Sequence, residues 1–173
     1  MIITCGFEAE YNPMKEAFLG ELREKVDYMI LGQHFVSDGL HNIPQKNNPE
    51  YPKEYAKMLC EGMDSGIFDI VAHPDIFMEF RDTMTTEDDK KEFDKNAREA
   101  SEMICAKAKE IGIPIEFNFG GIEKGKKMQD GNYAYPHPLF WEIAAKSGVQ
   151  VLYGVDAHTP SQFERMAIDR EIA

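Results

Sequence analysis

Residues 86–119 read TEDDKKEFDKNAREASEMICAKAKEIGIPIEFNF, a long amphipathic stretch, one glycine, and a short apolar run. Thr85 or Thr86, followed by Glu87, Asp88 and Asp89, is a helix-start signal, because the hydroxyl can cap free N–H groups and the acids face the positive end of the helix dipole. Gly112 stops that helix and the run at 113–119 reads as a strand. The same step recurs in both directions. Further short apolar runs lie at 1–7 (MIITCGF), 26–32 (VDYMILG), 66–72 (GIFDIVA) and 149–155 (VQVLYGV). Helical patterns occupy about 13–24, 51–65 and 138–147, and a last helix starts at Pro160 with Thr159 as its cap. Strand, helix, strand, helix throughout predicts an α/β fold with a mainly parallel sheet covered by helices. Doubly wound sheet and barrel both remain open on this pattern. The Gly120-Gly121 pair follows a strand but has neither a G-x-G-x-x-G pattern nor a G-K-[ST] step around it, which argues against a mononucleotide fold of the usual kind.

The chain's 173 residues fit one domain, and 43% hydrophobic content is enough for a core. With 31 acidic against 19 basic residues, the net charge of −12 disfavours long nucleic acids, which are held by clustered lysine and arginine. Small anionic substrates stay open, since a bound cation reverses the local sign. Cys5, Cys60 and Cys105 lie far apart and read as reduced thiols rather than a disulfide or zinc framework. No apolar run approaches the length of a membrane span and no basic leader precedes an apolar stretch, so a cytoplasmic protein is expected.

The informative pattern is where the apolar runs end. The first ends in Glu8 and Glu10, the second in His34, the third in His73, the fourth in Glu116 and Asn118, and the fifth in Asp156 and His158. C-terminal strand ends are where parallel α/β folds and barrels build their sites, and neighbouring strands bring such ends to one rim. A single histidine or glutamate there is ordinarily structural or solvated; convergence of five is what points to metal ligation. Mixed imidazole and carboxylate donors suit Zn, Mn or Fe better than Ca or Mg. The His73-Pro74 step predicts an extended backbone at His73, with Asp75 orienting its ring, and alternation predicts Asp156 and His158 on one side of an extended segment. Two metals bridged by a carboxylate such as Glu8 would activate a water and clamp the oxygens of a phosphoester.

The segments GFEAEY (6–11), ILGQHF (30–35), DIVAHPD (69–75), IEFNFGG (115–121) and VLYGVDAHTP (151–160), in this order, resemble the PHP (polymerase and histidinol phosphatase) metallophosphoesterases, most closely their histidinol-phosphatase branch. The resemblance spans essentially the whole chain. It implies a distorted seven-stranded βα barrel with two to three divalent metals (Zn, Mn or Fe) that hydrolyses a small phosphomonoester with metal-activated water, as in histidine biosynthesis. By that resemblance Glu8 is the bridging carboxylate, His34 and His73 join it on one metal, and Asp156 and His158 serve two different metals. Glu116 and Asn118 line the pocket, Arg81 contacts phosphate, and His41 and His137 stand on the same rim in substrate or structural roles.

The departures from that family are as specific. Its H-x-H strand and further early ligands precede the position of Glu8, and nothing of the kind is found between Met1 and Glu8; the chain also stops at Ala173, soon after the DAH segment. The expectation is a single, incomplete barrel domain over 1–173, with about five βα units. Only the site of Glu8, His34 and His73 would then have its full protein ligand set, and fewer metals would bind. An open parallel sheet leaves unpaired edges, so a homo-oligomer, a complementing N-terminal chain, or a sheet in place of a closed barrel is expected. The competing functional readings are a non-catalytic or partial metal-binding fragment, and a PHP-type nuclease or nucleotide phosphoesterase.

Overall fold

A computed structural model of the chain describes residues 2–37, 41–125 and 127–162. The periodicities become elements close to where the sequence puts them. Strands β1 (Gly6–Ala9), β2 (Tyr28–Leu31), β3 (Ile70–Val71), β4 (Ile115–Asn118) and β5 (Val151–Gly154) alternate with helices α1 (Glu16–Arg23), α2 (Tyr51–Asp64), α3 (Glu87–Ile111), α4 (Gly120–Glu123) and α5 (Pro138–Ser147). Short 3₁₀ segments add Pro13–Lys15 and Ile76–Thr83. α3 starts where Thr86 accepts a hydrogen bond from the Asp89 N–H at 3.0 Å, and it ends at Gly112, whose φ of +81° suits a residue without a Cβ. The backbone turns helical again at Pro160; the rest of that expected helix lies outside the described residues.

The sheet is five-stranded and wholly parallel, in the order β1-β2-β3-β4-β5. This decides between the two architectures left open above. A doubly wound sheet reverses its strand order at one point, whereas this order runs monotonically, as in a barrel wall, and is consistent with a partial (β/α) barrel. The wall is not closed among the described residues, and β1 and β5 are its edges.

Register assigns the two faces. Met29, Leu31, Val71 and Ile115 share one face, have no exposed surface, and pack into the core with Tyr55 and Leu59 of α2, Phe93 and Ile104 of α3, and Phe140 of α5. Each such side chain contributes about 1.5–3 kcal/mol by leaving water. Glu8, Ile30, Ile70, Glu116 and Leu152 share the opposite face, where burial is incomplete.

The first strand departs from its expected span. Ile2 and Ile3 are 94% and 77% exposed, and pairing begins only at Gly6, opposite Tyr28. Upstream of it, Cys5 is held through the Asp27 N–H and side chain, and no described strand lies beside residues 2–4 to continue the ladder.

Candidate metal centre

Glu8 lies on β1, whose neighbour β2 runs directly into Gly32 and then His34. Parallel register places Gly32 diagonally beside Glu8 on the same face, and the Glu8 carboxylate lies across that glycine. A Cβ at Gly32 would stand 1.9 Å from Glu8 Oε1. The missing side chain is therefore the space that the carboxylate fills. His34 folds back so that Nδ1 is 3.1 Å from the Gly32 carbonyl and 3.4 Å from Glu10 Oε1.

His73 enters from the end of β3 and is buried. Its Nε2 stands 3.3 Å from Glu8 Oε1, and its ring centroid is 4.7 Å from that of His34. One donor atom from each of Glu8, His34 and His73 lies within 4.8 Å of the others. Two imidazoles and one carboxylate at such separations form a donor set that fits a divalent metal ion. It is the one such three-residue group among the described residues.

The groups of the cluster perturb one another's charge. The hydrogen bond with His73 holds the Glu8 carboxyl below its ordinary range, against burial, and nearby His34 and His158 act in the same direction. The hydrogen bond to Glu10 raises His34, opposed by partial burial. Glu116 is pushed up, first by burial. Its Oε2 accepts from the His73 backbone N–H at 3.1 Å and from Asn118 Nδ2 at 2.8 Å, while Asn118 Oδ1 accepts from Gly120 N–H at 2.7 Å. Glu116 also lies across a glycine of the next strand, for a Cβ at Gly154 would stand 1.7 Å from its Oε1. Glu116 and Asn118 thus hold His73's backbone rather than offering ligand atoms to the cluster.

Three expectations about local geometry are corrected. His73 is not extended: its φ is +30°, a left-handed value that costs strain before a proline, held by Glu116 on its N–H and by Ile76 N–H on its carbonyl. Asp75 does not orient the His73 ring. Fully buried, its Oδ2 accepts from His137 N–H at 2.7 Å and Trp141 Nε1 at 3.0 Å, tying the β3 loop to α5, and burial pushes its carboxyl up to about 7. Asp156 and His158 do not alternate along an extended segment either. Asp156 has φ +47°, and His158 Nδ1 turns back to the Asp156 carbonyl at 2.7 Å, a local hydrogen bond that competes with continued extension.

Asp156 and His158 nevertheless line the same rim. One cleft of about 310 Å³ contains Glu8, Glu10, His34, Asp156 and His158; an adjoining cleft of about 470 Å³ contains His34, His73, Lys124, Tyr135, Asp156 and His158. The pair faces the cluster without joining it.

Arg81 is placed differently from the expected phosphate contact. Its guanidinium grips Asp94 of α3 in a two-pronged pair at 2.6 and 2.8 Å and does not line either cleft. The cation at the cleft is Lys124, which hydrogen-bonds the Tyr135 hydroxyl. Burial works against its charge, but Tyr135, Glu79 and Asp156 together raise it above the ordinary lysine range. His137 caps α5, its Nδ1 accepting from Leu139 N–H at 3.1 Å while Nε2 faces Asp130 at 3.3 Å, and burial lowers its basicity. His41 is exposed on the connection between β2 and α2. Neither His41 nor His137 lines the two clefts.

No family model matches the chain. The chain is similar to a curated protein of Deinococcus radiodurans named "Probable histidinol-phosphatase", with 28% identity over 178 aligned positions, covering 92% of this chain and 59% of that protein. The chain thus spans about 59% of the length of that relative.

Proposed function

We propose that this chain is a metal-dependent phosphoesterase of the PHP type, acting on a small phosphomonoester. The observation that carries this reading is the meeting of Glu8, His34 and His73 at the C-terminal ends of three neighbouring strands. The similarity to the Deinococcus protein supports it, as does the net charge of −12, which favours a small substrate over a long polyanion.

Glu8, His34 and His73 would hold the ion. A divalent ion bound there supplies Lewis acidity toward a water and the phosphoryl oxygens. The hydrogen bond with His73 favours the ionised form of Glu8, the form a metal ligand needs. Glu116 and Asn118 fix the strained backbone that aims His73. Lys124, at the mouth of the cleft, brings a positive charge to where phosphoryl oxygens would lie. Asp156 and His158, which line the same clefts, would contact substrate or a further ion.

A second reading has its own support: this chain binds metal but needs additional chain to catalyse. The sheet, unclosed among the described residues, and the position of Asp156 and His158 outside the cluster favour it. Loading metal-free protein with Mn or Zn, counting ions per chain and following phosphate release from an aryl phosphate separates the two. Bound metal with phosphate release abolished by His73→Ala supports the enzyme. About one ion per chain with no release supports the second reading.

A further inference from the structure

Beyond Lys124 the cleft opens into a second lobe of about 480 Å³, which shares Glu79, Lys124 and Tyr135 with it. A molecule seated against the metal cluster and long enough to pass Lys124 would meet this lobe. Its wall carries two more lysines, Lys46 and Lys127, so the sign of the charge reverses locally in a chain of net charge −12. Two acids also line it, and both are engaged. Glu79 lies 3.9 Å from Lys124 Nζ, while Asp82 accepts from Gln129 N–H at 2.8 Å and lies 3.8 Å from Arg81. Lys46 and Lys127 have no acidic partner among the described residues; the Lys127 ammonium lies 5.3 Å above the Tyr133 ring. Phe80, Met128 and Ala134 complete the wall with apolar surface.

We infer that the alcohol half of the substrate carries a second anionic group, a carboxylate or another phosphate, received by Lys46 and Lys127. This rests on the phosphoesterase reading above and names its substrate class. A cationic amino alcohol, such as the histidinol in the name of the Deinococcus protein, would instead bring like charge to three lysines.

Phosphoglycolate and phosphoethanolamine are size-matched esters that differ in the sign of the distal group. Calorimetric titration of the manganese-loaded full chain should give about 10-fold tighter binding of phosphoglycolate. Exchanging both lysines, Lys46→Glu with Lys127→Glu, should abolish or reverse that ratio while metal content stays the same. Equal or opposite preference in the parent chain, a preference that survives the exchange, or no binding of either ester to metal-loaded protein overturns the inference. Phosphate release is read separately. Its absence with both esters counts against the phosphoesterase reading and leaves the binding ratio to decide this inference, whereas faster release from phosphoethanolamine keeps that reading and overturns this one.

Discussion

The rim of the sheet has two ends, built to different standards. At the ends of β1, β2 and β3, Glu8 is pressed over Gly32, His34 is folded back by its neighbours and His73 is buried, so three donors converge. At the end of β5, Asp156 and His158 satisfy each other locally, and the His158 side chain is 74% exposed. Both ends carry the residue types of a metal site. The difference is how the donors are delivered: at the first end three adjacent strands bring one donor each to the same spot, whereas Asp156 and His158 both follow one strand, β5. Ligand chemistry at a strand end becomes a site only where packing fixes its direction.

The largest test of this contrast is Glu8→Gln, which keeps the shape but removes the anionic ligand. Metal affinity should fall about 100-fold or more by equilibrium dialysis, beyond what loss of a supporting contact costs. Next is Gly32→Ala. The new methyl displaces the Glu8 carboxylate and should weaken metal binding about 10-fold or more with little change in melting temperature. Gly154→Ala, which displaces Glu116 and only indirectly His73, should cost less.

Asp75 anchors the well-built end to α5, and its pH dependence has a defined sign. Its carboxyl is near 3.8 when unfolded and about 7 when folded, so between those values the native state holds a proton that the unfolded state has released. Its contribution to stability is therefore present at low pH and lost as pH rises through that window. The displacement has a ceiling of about 4 kcal/mol, cut to about 1–2 kcal/mol by relaxation around a buried charge. Asp75→Asn, which keeps an acceptor for His137 and Trp141, should gain stability over the parent by that amount near pH 8 and lose the advantage near pH 4. Urea unfolding at the two pH values checks it. Arg81→Ala should cost about 1 kcal/mol of stability through loss of the Asp94 pair and leave ester affinity unchanged. Smallest of all, His158→Ala should shift metal affinity less than about 3-fold, because its ring lies outside the cluster. A large loss there would erase the distinction between the two ends.

Local signals carried most of the fold. The switch from a helical period to short apolar runs, with Thr86, Gly112 and Gly148 as punctuation, placed five strands and the main helices nearly where they stand. Convergence of Glu8, His34 and His73 was legible because the end of a parallel strand is a location as well as a sequence position. What stayed hidden depends on tertiary partners. Asp94 claims Arg81 from another element, Asp75 turns inward to α5, and a ring nitrogen of His137 does the capping work usually done by a hydroxyl or carboxylate. Proline after His73 argues for extended backbone, and the grip of Glu116 overrides it. Lys124 and Tyr135 carry no sequence signature as a pair; a loop brings them together.

The central claim is that Glu8, His34 and His73 form one metal site. The direct measurement is the number of ions bound per chain by metal-free protein titrated with manganese or zinc, read by atomic emission after dialysis, in the parent and in His73→Ala. The structure predicts at least one tightly held ion per chain in the parent and its loss in the variant. Failure of the folded parent to retain an ion, or undiminished binding in His73→Ala, would contradict it.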